Sequence, residues 1–428
     1  MKIFLKSFLV VVILFNLSYA GCHSDSLTFK VNKSHLDYLY EEIKIDNNEM
    51  GVIHIYCDAP SYKYVDAKGE GYACVDDAAR AALFYLDYFK IYNDSASLNK
   101  FNMLTNFVIH MQAENGFFYN FIENDNSINK SYRTSLAEAN WWSWRALWLL
   151  TESYSYYKDR NPERANIILN SIGNCVTALK KEIQSNKKTK IIDGMEIPEW
   201  LPAGSGADQS ALLIISLLNY YELTNDKAVL NYINSLAEGI MLMQVNDPES
   251  PLDGAFLSWE NTWHAWGNSQ AYALLKAWQV TKDEKFKLSA LKEIDNFYSY
   301  LLKNNFLSYF KLKSSNDKIE VIENNKYSQI AYDIRPMVFA LLEAYKITGK
   351  PKYAELAGNI ASWFIGSNPA NAVMYNSEEG LVFDGITDDK TININSGAES
   401  TIEALWVLLK VSQNPVALKE FLDSNKTN

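Results

Sequence analysis

The sequence predicts an all-α fold, an (α/α)6 barrel (an α/α toroid) of six helical hairpins, on three observations. Long segments with helical periodicity alternate along the chain, very short polar connections join the two helices of each pair, and connections of roughly 20–30 residues separate successive pairs. The predicted helices are 76–92, 97–112, 138–158, 160–183, 205–223, 225–243, 264–281, 283–302, 328–348, 350–366, 398–411 and 414–424.

The short connections, such as Asn93-Asp94-Ser95 and Thr348-Gly349-Lys350, force the two helices of a pair to run antiparallel. All short turns therefore fall at one end of the bundle, and all long loops fall at the other. The first helices of the pairs start at the long-loop end, near 76, 138, 208, 266, 333 and 399. Six pairs without an obvious polar capping repeat favour a closed barrel over an open superhelix, which is the main alternative.

The chain before the first pair is predicted to be an extension that packs on the barrel. Within residues 22–70, the stretch 35–43 has a helical pattern and 51–56 reads as a strand. The remaining residues, 71–428, form the predicted catalytic barrel domain.

Residues 1–21 have the pattern of a signal peptide. Lys2 and Lys6 precede an apolar run at 8–15, and small residues follow near Ala20. We therefore expect an exported protein, which is periplasmic, secreted or lipid-anchored to the cell surface. Two processing outcomes stay open, because Ala20 suits ordinary cleavage whereas a following Cys22 resembles a lipoprotein anchor. No other segment is long and apolar enough to span a bilayer.

The composition argues against nucleic-acid partners. The formal net charge of the 428 residues is −11, and no cluster of Lys and Arg offsets it. The apolar fraction of 48% is enough for a buried core. The oligomeric state is not predicted.

The cysteines allow two interpretations in an exported protein. Cys57 and Cys74 either form a disulfide that closes a short loop or remain buried thiols, and Cys175 reads as a core residue. No zinc motif is present. Asp247 and Asp253 are oxygen ligands suited to calcium, but a solvated turn is favoured there, and we expect no metal and no cofactor.

Acidic residues cluster at the starts of the first helices of the pairs. The candidate catalytic residues are Asp76, Asp77, Glu138, Asp208, Asp333 and Glu399. If the barrel closes, these starts converge on one rim, and carboxylates from different hairpins face each other there. Cleavage of a glycosidic bond needs two carboxyl groups that flank the bond, one protonated and one ionised.

Helix capping is the competing interpretation of these carboxylates. Three pairs fit the capping-box pattern: Ser135/Glu138, Ser205/Asp208 and Ser396/Glu399. Asp76 and Asp77 are placed to pair with Arg80, and Asp333 is placed to cap its helix ahead of Pro336.

The position on the helix separates the two chemical roles. A carboxylate at a helix N-terminus is stabilised as the anion, so we expect the base to be Asp208 or Glu399. The acid should be a carboxyl group that is desolvated or crowded by another carboxylate, which favours Asp77 over Asp76.

Aromatic residues near the same helix starts suit a sugar ligand, because their flat rings stack on the apolar faces of pyranoses. The candidate substrate-binding residues are Trp142, Trp200, Trp263, His264, Trp266, Tyr332 and Arg335. Trp141, Trp144 and Trp148 have helical spacing and are expected in the core.

The six-hairpin organisation with acidic helix starts resembles the six-hairpin glycosidase superfamily, over roughly residues 70–425. The segment Val75-Asp76-Asp77-Ala78-Ala79-Arg80-Ala81 is similar to an Asp-Asp-x-x-Arg-Ala stretch of such barrels, and 395–401 has a signature-like quality. The resemblance implies the barrel fold and a carbohydrate substrate. It does not choose a reaction, because hydrolases, lyases and epimerases share this fold.

We therefore predict a glycoside hydrolase that cleaves an extracytoplasmic oligo- or polysaccharide by Asp/Glu acid–base catalysis. A polysaccharide lyase is the first alternative, with Tyr332, Arg335 and His264 as its base and neutralising groups. A non-catalytic glycan-binding surface lipoprotein is the second. An epimerase is less favoured, because such barrels generally use a pair of cleft histidines and only His264 lies at a predicted helix start.

Overall fold

The computed structural model describes residues 29–183, 186–315 and 318–424. The predicted signal peptide and the possible lipid anchor at Cys22 lie outside this part of the chain. Within it, no helix combines the length and the apolar character that crossing a membrane requires.

The described residues contain fourteen α-helices, most of them in antiparallel pairs. In chain order, they are α1 Ser34–Leu39, α2 Val75–Tyr92, α3 Ser95–His110, α4 Trp141–Tyr157, α5 Pro162–Glu182, α6 Ala207–Thr224, α7 Lys227–Leu242, α8 Gln270–Thr281, α9 Glu284–Lys292, α10 Ser299–Lys303, α11 Ala331–Thr348, α12 Pro351–Ala361, α13 Ala398–Ser412 and α14 Pro415–Ser424. A π-helical segment, Glu293–Tyr298, joins α9 to α10, and 3₁₀ turns occupy Arg133–Ser135 and Ser362–Phe364.

The first helices of the six pairs form a closed inner ring. They contact one another in the order α2, α4, α6, α8, α11 and α13, and α13 contacts α2 to complete the circle. The second helix of each pair packs outside. The predicted (α/α)6 barrel is confirmed, and the open superhelix is wrong.

Four inner helices, α4, α6, α8 and α11, start two to six residues later than predicted, and the causes are clear for α4 and α8. Asn140 caps α4, its side chain accepting the Trp141 N–H at 2.8 Å, so the helix begins three residues after Glu138. Helix α8 begins at Gln270 because His264, predicted as its first residue, ends the strand Thr262–His264, which pairs with residues 309–311. Both errors lie at the mouth of the barrel, where the long loops fold back on the helix starts.

The long loops carry short antiparallel strands that the helical pattern did not predict. The strands are Tyr40–Ile45, Asn48–Ile53, Tyr56–Asp58, Lys63–Val65, Ala73–Cys74, Phe121–Ile122, Thr189–Ile192, Met195–Pro198, Thr262–His264, Tyr309–Ser315, Lys318–Asn325, Tyr375–Asn376, Leu381–Val382, Gly385–Asp388 and Thr391–Asn393. Apart from one three-stranded sheet, the described sheets are two-stranded. They tie the loops down around the mouth and leave the fold class all-α.

The extension before α2 holds the predicted strand and a shorter helix than expected. Helix α1 ends at Leu39, and the next residues form the hairpin Tyr40–Ile45 with Asn48–Ile53. The second strand of this hairpin packs on α3.

The interior of the barrel below the mouth is filled with aromatic side chains. Trp148 and Trp406 stack with ring centroids 5.5 Å apart, and Phe339 meets Trp406 edge-on at 5.2 Å. The Trp406 indole donates to Asp87 Oδ2 at 2.8 Å, deeper along the inner helices. A ligand can therefore approach the inner helix starts from the mouth, above this packed layer.

The disulfide that the sequence allowed between Cys57 and Cys74 is absent. Cys57, Cys74 and Cys175 are free and buried, as the alternative interpretation had it. Cys74 instead caps α2, where its sulfur accepts the Asp77 N–H at 3.4 Å.

Glu293, in the π-helical segment, is fully buried, and its carboxyl group should make the stability of the fold depend on pH. Its carboxyl group accepts the Phe256 N–H at 2.9 Å and lies 3.1 Å from the Tyr298 hydroxyl. Burial raises its pKa from 4.5 to about 8. The folded state thus holds a proton that the unfolded chain releases, so this contribution to stability is lost as the pH rises from 4.5 to about 8.

Glu293→Gln should remove that loss, because the amide is neutral at every pH and keeps an acceptor for the Phe256 N–H. Urea titrations at pH 5 and pH 8 measure the free energy of unfolding. Between the two pH values, the wild type should lose on the order of a few kcal/mol more of this free energy than the variant. An identical pH dependence of the two proteins would contradict a protonated, buried Glu293.

Candidate active site

Arg80 is the centre of a buried ion network at the barrel mouth. It lies on α2, is 2% exposed, and contacts four carboxylates. Its guanidinium donates to Asp77 Oδ1 at 2.6 Å, to Glu399 Oε2 at 2.9 Å and to Glu403 Oε1 at 3.0 Å, and it lies 3.4 Å from Asp76 Oδ2. One cation thus joins the first inner helix to the last.

A second arginine links this network to the neighbouring helices. Arg145 of α4 donates to Asp76 through Nη1 and to the Tyr332 hydroxyl through Nη2 at 2.6 Å. The Tyr332 ring lies within 5.1–5.3 Å of the guanidinium groups of Arg80, Arg145 and Arg335. Burial raises the pKa of Tyr332, so its phenol stays neutral among these cations.

Glu403 and Arg335 form the floor of the network. Glu403 is completely buried, one helical turn beyond Glu399, and accepts from Arg80 and from Arg335 Nε. Below it, the Arg335 guanidinium packs 5.3 Å from the Phe339 ring and 5.5 Å from the Trp406 ring. Arg335 was predicted to bind substrate, but at 2% exposure it supports the floor.

Asp77 lies beneath the surface of the mouth. Arg80 binds its Oδ1, and the Cys74 thiol donates to its Oδ2 at 3.3 Å, so both oxygens have protein partners. Burial, with the charges of Asp76 and Glu399 adding to it and that of Arg80 opposing, raises the pKa of Asp77 to about 6. The direction agrees with the crowding argument, but the side chain is only 4% exposed.

The partly exposed carboxylates of the network are Asp76 and Glu399, although Asp76 Oδ1 is itself buried and has no hydrogen-bond partner among the described residues. Their side chains are 21% and 43% exposed, and Arg80 bridges them through its two terminal nitrogens. The two carboxylates thus face the same guanidinium group. Asp76, rather than Asp77, is therefore the more open of the neighbouring pair.

Asp208 and His264 form a second cluster on the same rim. Asp208 Oδ2 lies 3.0 Å from His264 Nε2, and the Trp266 carbonyl lies 2.9 Å from His264 Nδ1. The His264 ring stacks on the Trp266 indole at 3.5 Å. Both ring nitrogens of His264 are therefore in contact with protein groups, Asp208 on one side and the Trp266 carbonyl on the other.

The capping boxes predicted from sequence do not form. Glu138 is an exposed loop residue before α4, and the Ser135 hydroxyl donates to the Asn129 carbonyl. Asp208 binds His264 and the Gln209 N–H, while the Ser205 hydroxyl accepts the Glu260 N–H.

The side chains of the third predicted capping pair, Ser396 and Glu399, also bind other partners. The Ser396 hydroxyl accepts the Val382 N–H, and Glu399 binds Arg80. Only the proposed cap of Asp333 is present, since its Oδ2 accepts the Ile330 N–H at 2.9 Å. Burial raises the pKa of Asp333 well above its usual value, with the charge of Glu399 contributing.

The predicted tryptophan platform is wrong for three of its four members. Trp142 and Trp200 are buried, and their indoles donate to backbone carbonyls. Trp263 is packed in the core, stacked on Phe310 at 4.9 Å.

Trp266 alone among the four is exposed, at 41%, and Trp141 lies beside it with ring centroids 6.0 Å apart. Trp141 was assigned to the core, but it is the first residue of α4 and only partly buried. Trp141 and Trp266 together present aromatic surface at the rim.

The acidic loop considered for calcium is a hydrogen-bonded turn. Asp253 Oδ1 accepts the Asp247 N–H at 2.9 Å, and Asp247 Oδ1 accepts the Glu249 N–H at 3.1 Å. Among the residues described here, no group of His, Cys, Asp and Glu has an arrangement that could hold a metal ion.

Several solved structures share this architecture. A sugar epimerase from a ruminal bacterium matches with a TM-score of 0.62 at 13% identity, covering 89% of this chain and 95% of its own. The cellobiose 2-epimerase of Bacillus thermoamylovorans gives 0.61 at 14% identity, with 88% and 95% covered. The chain has the (α/α)6 barrel fold of these proteins.

A family 76 glycoside hydrolase from a bovine Bacteroides thetaiotaomicron strain also matches, with a TM-score of 0.54 at 14% identity. The match covers 84% of this chain and 74% of that one. At such identities the likeness shows the fold alone. No protein-family model matches the sequence, and no curated protein matches it significantly.

The sequence prediction missed Glu403, Arg145 and Trp141 as parts of the mouth. Two of them carried a signal. Glu403 follows Glu399 by four residues and Arg145 follows Trp141 by four, so each pair shares a helix face. The prediction also missed Asp384, in the loop before α13, whose Oδ1 accepts the Gly397 N–H at 2.8 Å. No pattern in the sequence pointed to this residue.

Proposed function

We propose that this protein is a carbohydrate-active enzyme, and specifically a glycoside hydrolase that acts on an extracytoplasmic oligo- or polysaccharide. The observation that carries the proposal is the pair of partly exposed carboxylates, Asp76 and Glu399, bridged by Arg80 at the mouth of the barrel. Two carboxyl groups that flank the bond are what glycosidic cleavage requires.

The contacts of the two carboxylates assign their roles. Asp76 accepts from Arg145 and lies 3.4 Å from Arg80, so two arginines hold it in place. It is the proposed base or nucleophile. Glu399 has one arginine contact and the greater exposure, so it is the more open of the two toward a leaving group. It is the proposed proton donor.

This assignment differs from the one based on helix position. Asp208 was a candidate base, but it is 4% exposed and bound to His264. Asp77 was the favoured acid, but both of its oxygens are occupied. They are proposed to support the mouth, with Trp141 and Trp266 providing the surface on which a sugar ring stacks.

The matched proteins support a carbohydrate substrate, since two are named for sugar epimerisation and one for glycoside hydrolysis. The epimerase matches have the higher TM-scores, which makes epimerisation the rival reaction. His264 argues against it, because hydrogen-bond acceptors occupy both of its nitrogens. The same contacts disfavour His264 as the base of a lyase.

The test is incubation of the purified protein with a panel of oligo- and polysaccharides, followed by NMR and mass spectrometry of the products. Hydrolysis gives new reducing ends, each with the mass of one added water, and this is the expected result. The Asp76→Asn/Glu399→Gln double variant, prepared in parallel, should give no product and thereby excludes a contaminating enzyme.

Three other outcomes would overturn the proposal, each in its own way. An isomer of unchanged mass identifies an epimerase, and an unsaturated, ultraviolet-absorbing product identifies a lyase. An oligosaccharide that binds tightly yet stays intact identifies a glycan-binding protein.

A further inference from the structure

The proposed catalytic pair lies where the barrel closes, because Asp76 is on the first inner helix and Glu399 on the last. These two helices are far apart in sequence, so no short connection fixes one against the other. Their relative placement depends on the chain segment that contacts both helix starts. We call this segment, residues 54–59, the seam segment.

One edge of the seam segment binds the chain that leads into α2. His54 forms a β-bridge with Ala73, and the Ile55 N–H donates to the Tyr72 carbonyl at 3.1 Å. Helix α2 begins at Val75, so these contacts are made within three residues of the helix start.

The other edge binds the chain that leads into α13. The Ala398 N–H donates to the Ile55 carbonyl at 2.9 Å, and the Ser396 N–H donates to the Cys57 carbonyl at 3.0 Å. The Ala59 N–H donates to Asn395 Oδ1 at 3.0 Å. Ile55 therefore uses its N–H toward one helix start and its carbonyl toward the other.

Other residues of the extension reinforce the second edge. His35 of α1 lies with Nε2 2.9 Å from the Ser396 carbonyl, and the Tyr62 hydroxyl donates to the Ile394 carbonyl at 3.1 Å. Gly397 fits tightly against the seam segment, since a Cβ there would lie 2.9 Å from the Ile55 carbonyl oxygen.

We propose that the seam segment positions the catalytic pair, with Gly397 as the positioning residue that lets α13 start in contact with it. The proposal rests on the hydrolase function given above. Any side chain at position 397 must push the start of α13, and Glu399 with it, away from the segment that holds α2. Since the clash is with backbone, a neighbouring rotamer change does not relieve it.

The test is Gly397→Ala, with Gly358→Ala as the matched control. A Cβ at Gly358 would lie 2.2 Å from the Ala417 carbonyl, so it strains the outer layer between α12 and α14 and leaves the mouth alone. We expect kcat of Gly397→Ala to fall about 10–100-fold with KM nearly unchanged, as a displaced catalytic group requires. Gly358→Ala should keep the wild-type kcat per folded molecule.

Hydrogen exchange gives a readout that does not depend on activity. Amides of residues 394–400 and 72–76 should lose protection in Gly397→Ala and keep it in Gly358→Ala. If Gly397→Ala folds poorly, Asn395→Ala, which removes only the Ala59 contact, should show a smaller kcat loss and the same pattern of exchange.

The outcomes separate the two proposals. Wild-type kcat in Gly397→Ala or Asn395→Ala, despite lost protection, overturns the positioning role and leaves the hydrolase standing. Equal kcat losses in Gly397→Ala and Gly358→Ala also overturn it, because strain alone then explains both. A wild-type protein that hydrolyses no glycan in the panel overturns the proposed function itself.

Discussion

Glu399→Gln should lower the turnover of an unactivated glycoside by about 10²–10⁴-fold, the usual contribution of a positioned general acid. Gln keeps the size of the side chain and can still accept from Arg80, but it has no proton to give to the leaving oxygen. The leaving group of a dinitrophenyl glycoside, dinitrophenolate, departs as an anion and needs no protonation. The variant should therefore release dinitrophenolate in its first turnover at close to the wild-type rate.

Asp76→Asn should behave differently, because the base or nucleophile is needed for both substrates. It is expected to lose turnover by a comparable factor on the unactivated and the dinitrophenyl glycoside. Burst kinetics with both substrates, run on the two variants, compare the roles directly.

Glu260→Gln provides a control carboxylate at the same rim. Glu260 pairs with Lys190 at 2.8 Å and lies in the loop before α8. Its removal should change turnover by less than about two-fold, in the range of an exposed ion pair. A Glu399→Gln variant that keeps wild-type turnover on the unactivated glycoside would remove Glu399 from the chemistry.

Glu403→Gln should cost about 3–5 kcal/mol of unfolding free energy, because it breaks a buried ion pair and leaves a cation behind. Arg80 retains Asp77 and Glu399, but Glu403 is the one carboxylate that the described structure places against Arg335. The guanidinium of Arg335 would then face aromatic rings and a neutral amide, with no counter-charge. Urea titration at neutral pH measures the loss.

Two further variants separate the buried charge from loss of packing. Arg335→Met combined with Glu403→Leu should recover most of the stability, since neither member then leaves an unpaired charge. Asp295→Asn, which breaks the exposed pair with Lys352, should change the free energy of unfolding by less than about 1 kcal/mol. A Glu403→Gln variant as stable as this control would show that the network contributes little to folding.

The architecture was predictable because its signals are local. Periodicity and short polar turns place each hairpin, and these patterns held for all six pairs. The helix starts were less predictable, since they depend on loops folding back from elsewhere. Residues 262–264 became a strand because residues 309–311 lie beside them, which nothing in the local pattern reveals.

The site was predictable only as a set of residue types at one rim. Which carboxylate is open and which is buried depends on cations from other hairpins. Arg80 meets Glu399 across 319 positions of sequence, and no spacing rule reaches that far. The tryptophans show the same limit, since Trp142 and Trp141 are neighbours and only the folded loops decide which one faces the mouth.

The closed ring has a consequence for biosynthesis. The contacts of Arg80 with Glu399 and Glu403 span 319 and 323 positions, so they are absent until the last hairpin has left the ribosome and docked. A chain that lacks its final helices holds Asp76 without its partner. Contacts between residues so far apart in sequence carry a high loop-closure cost, which slows folding. The proposed catalytic pair is therefore complete only once the last hairpin has docked.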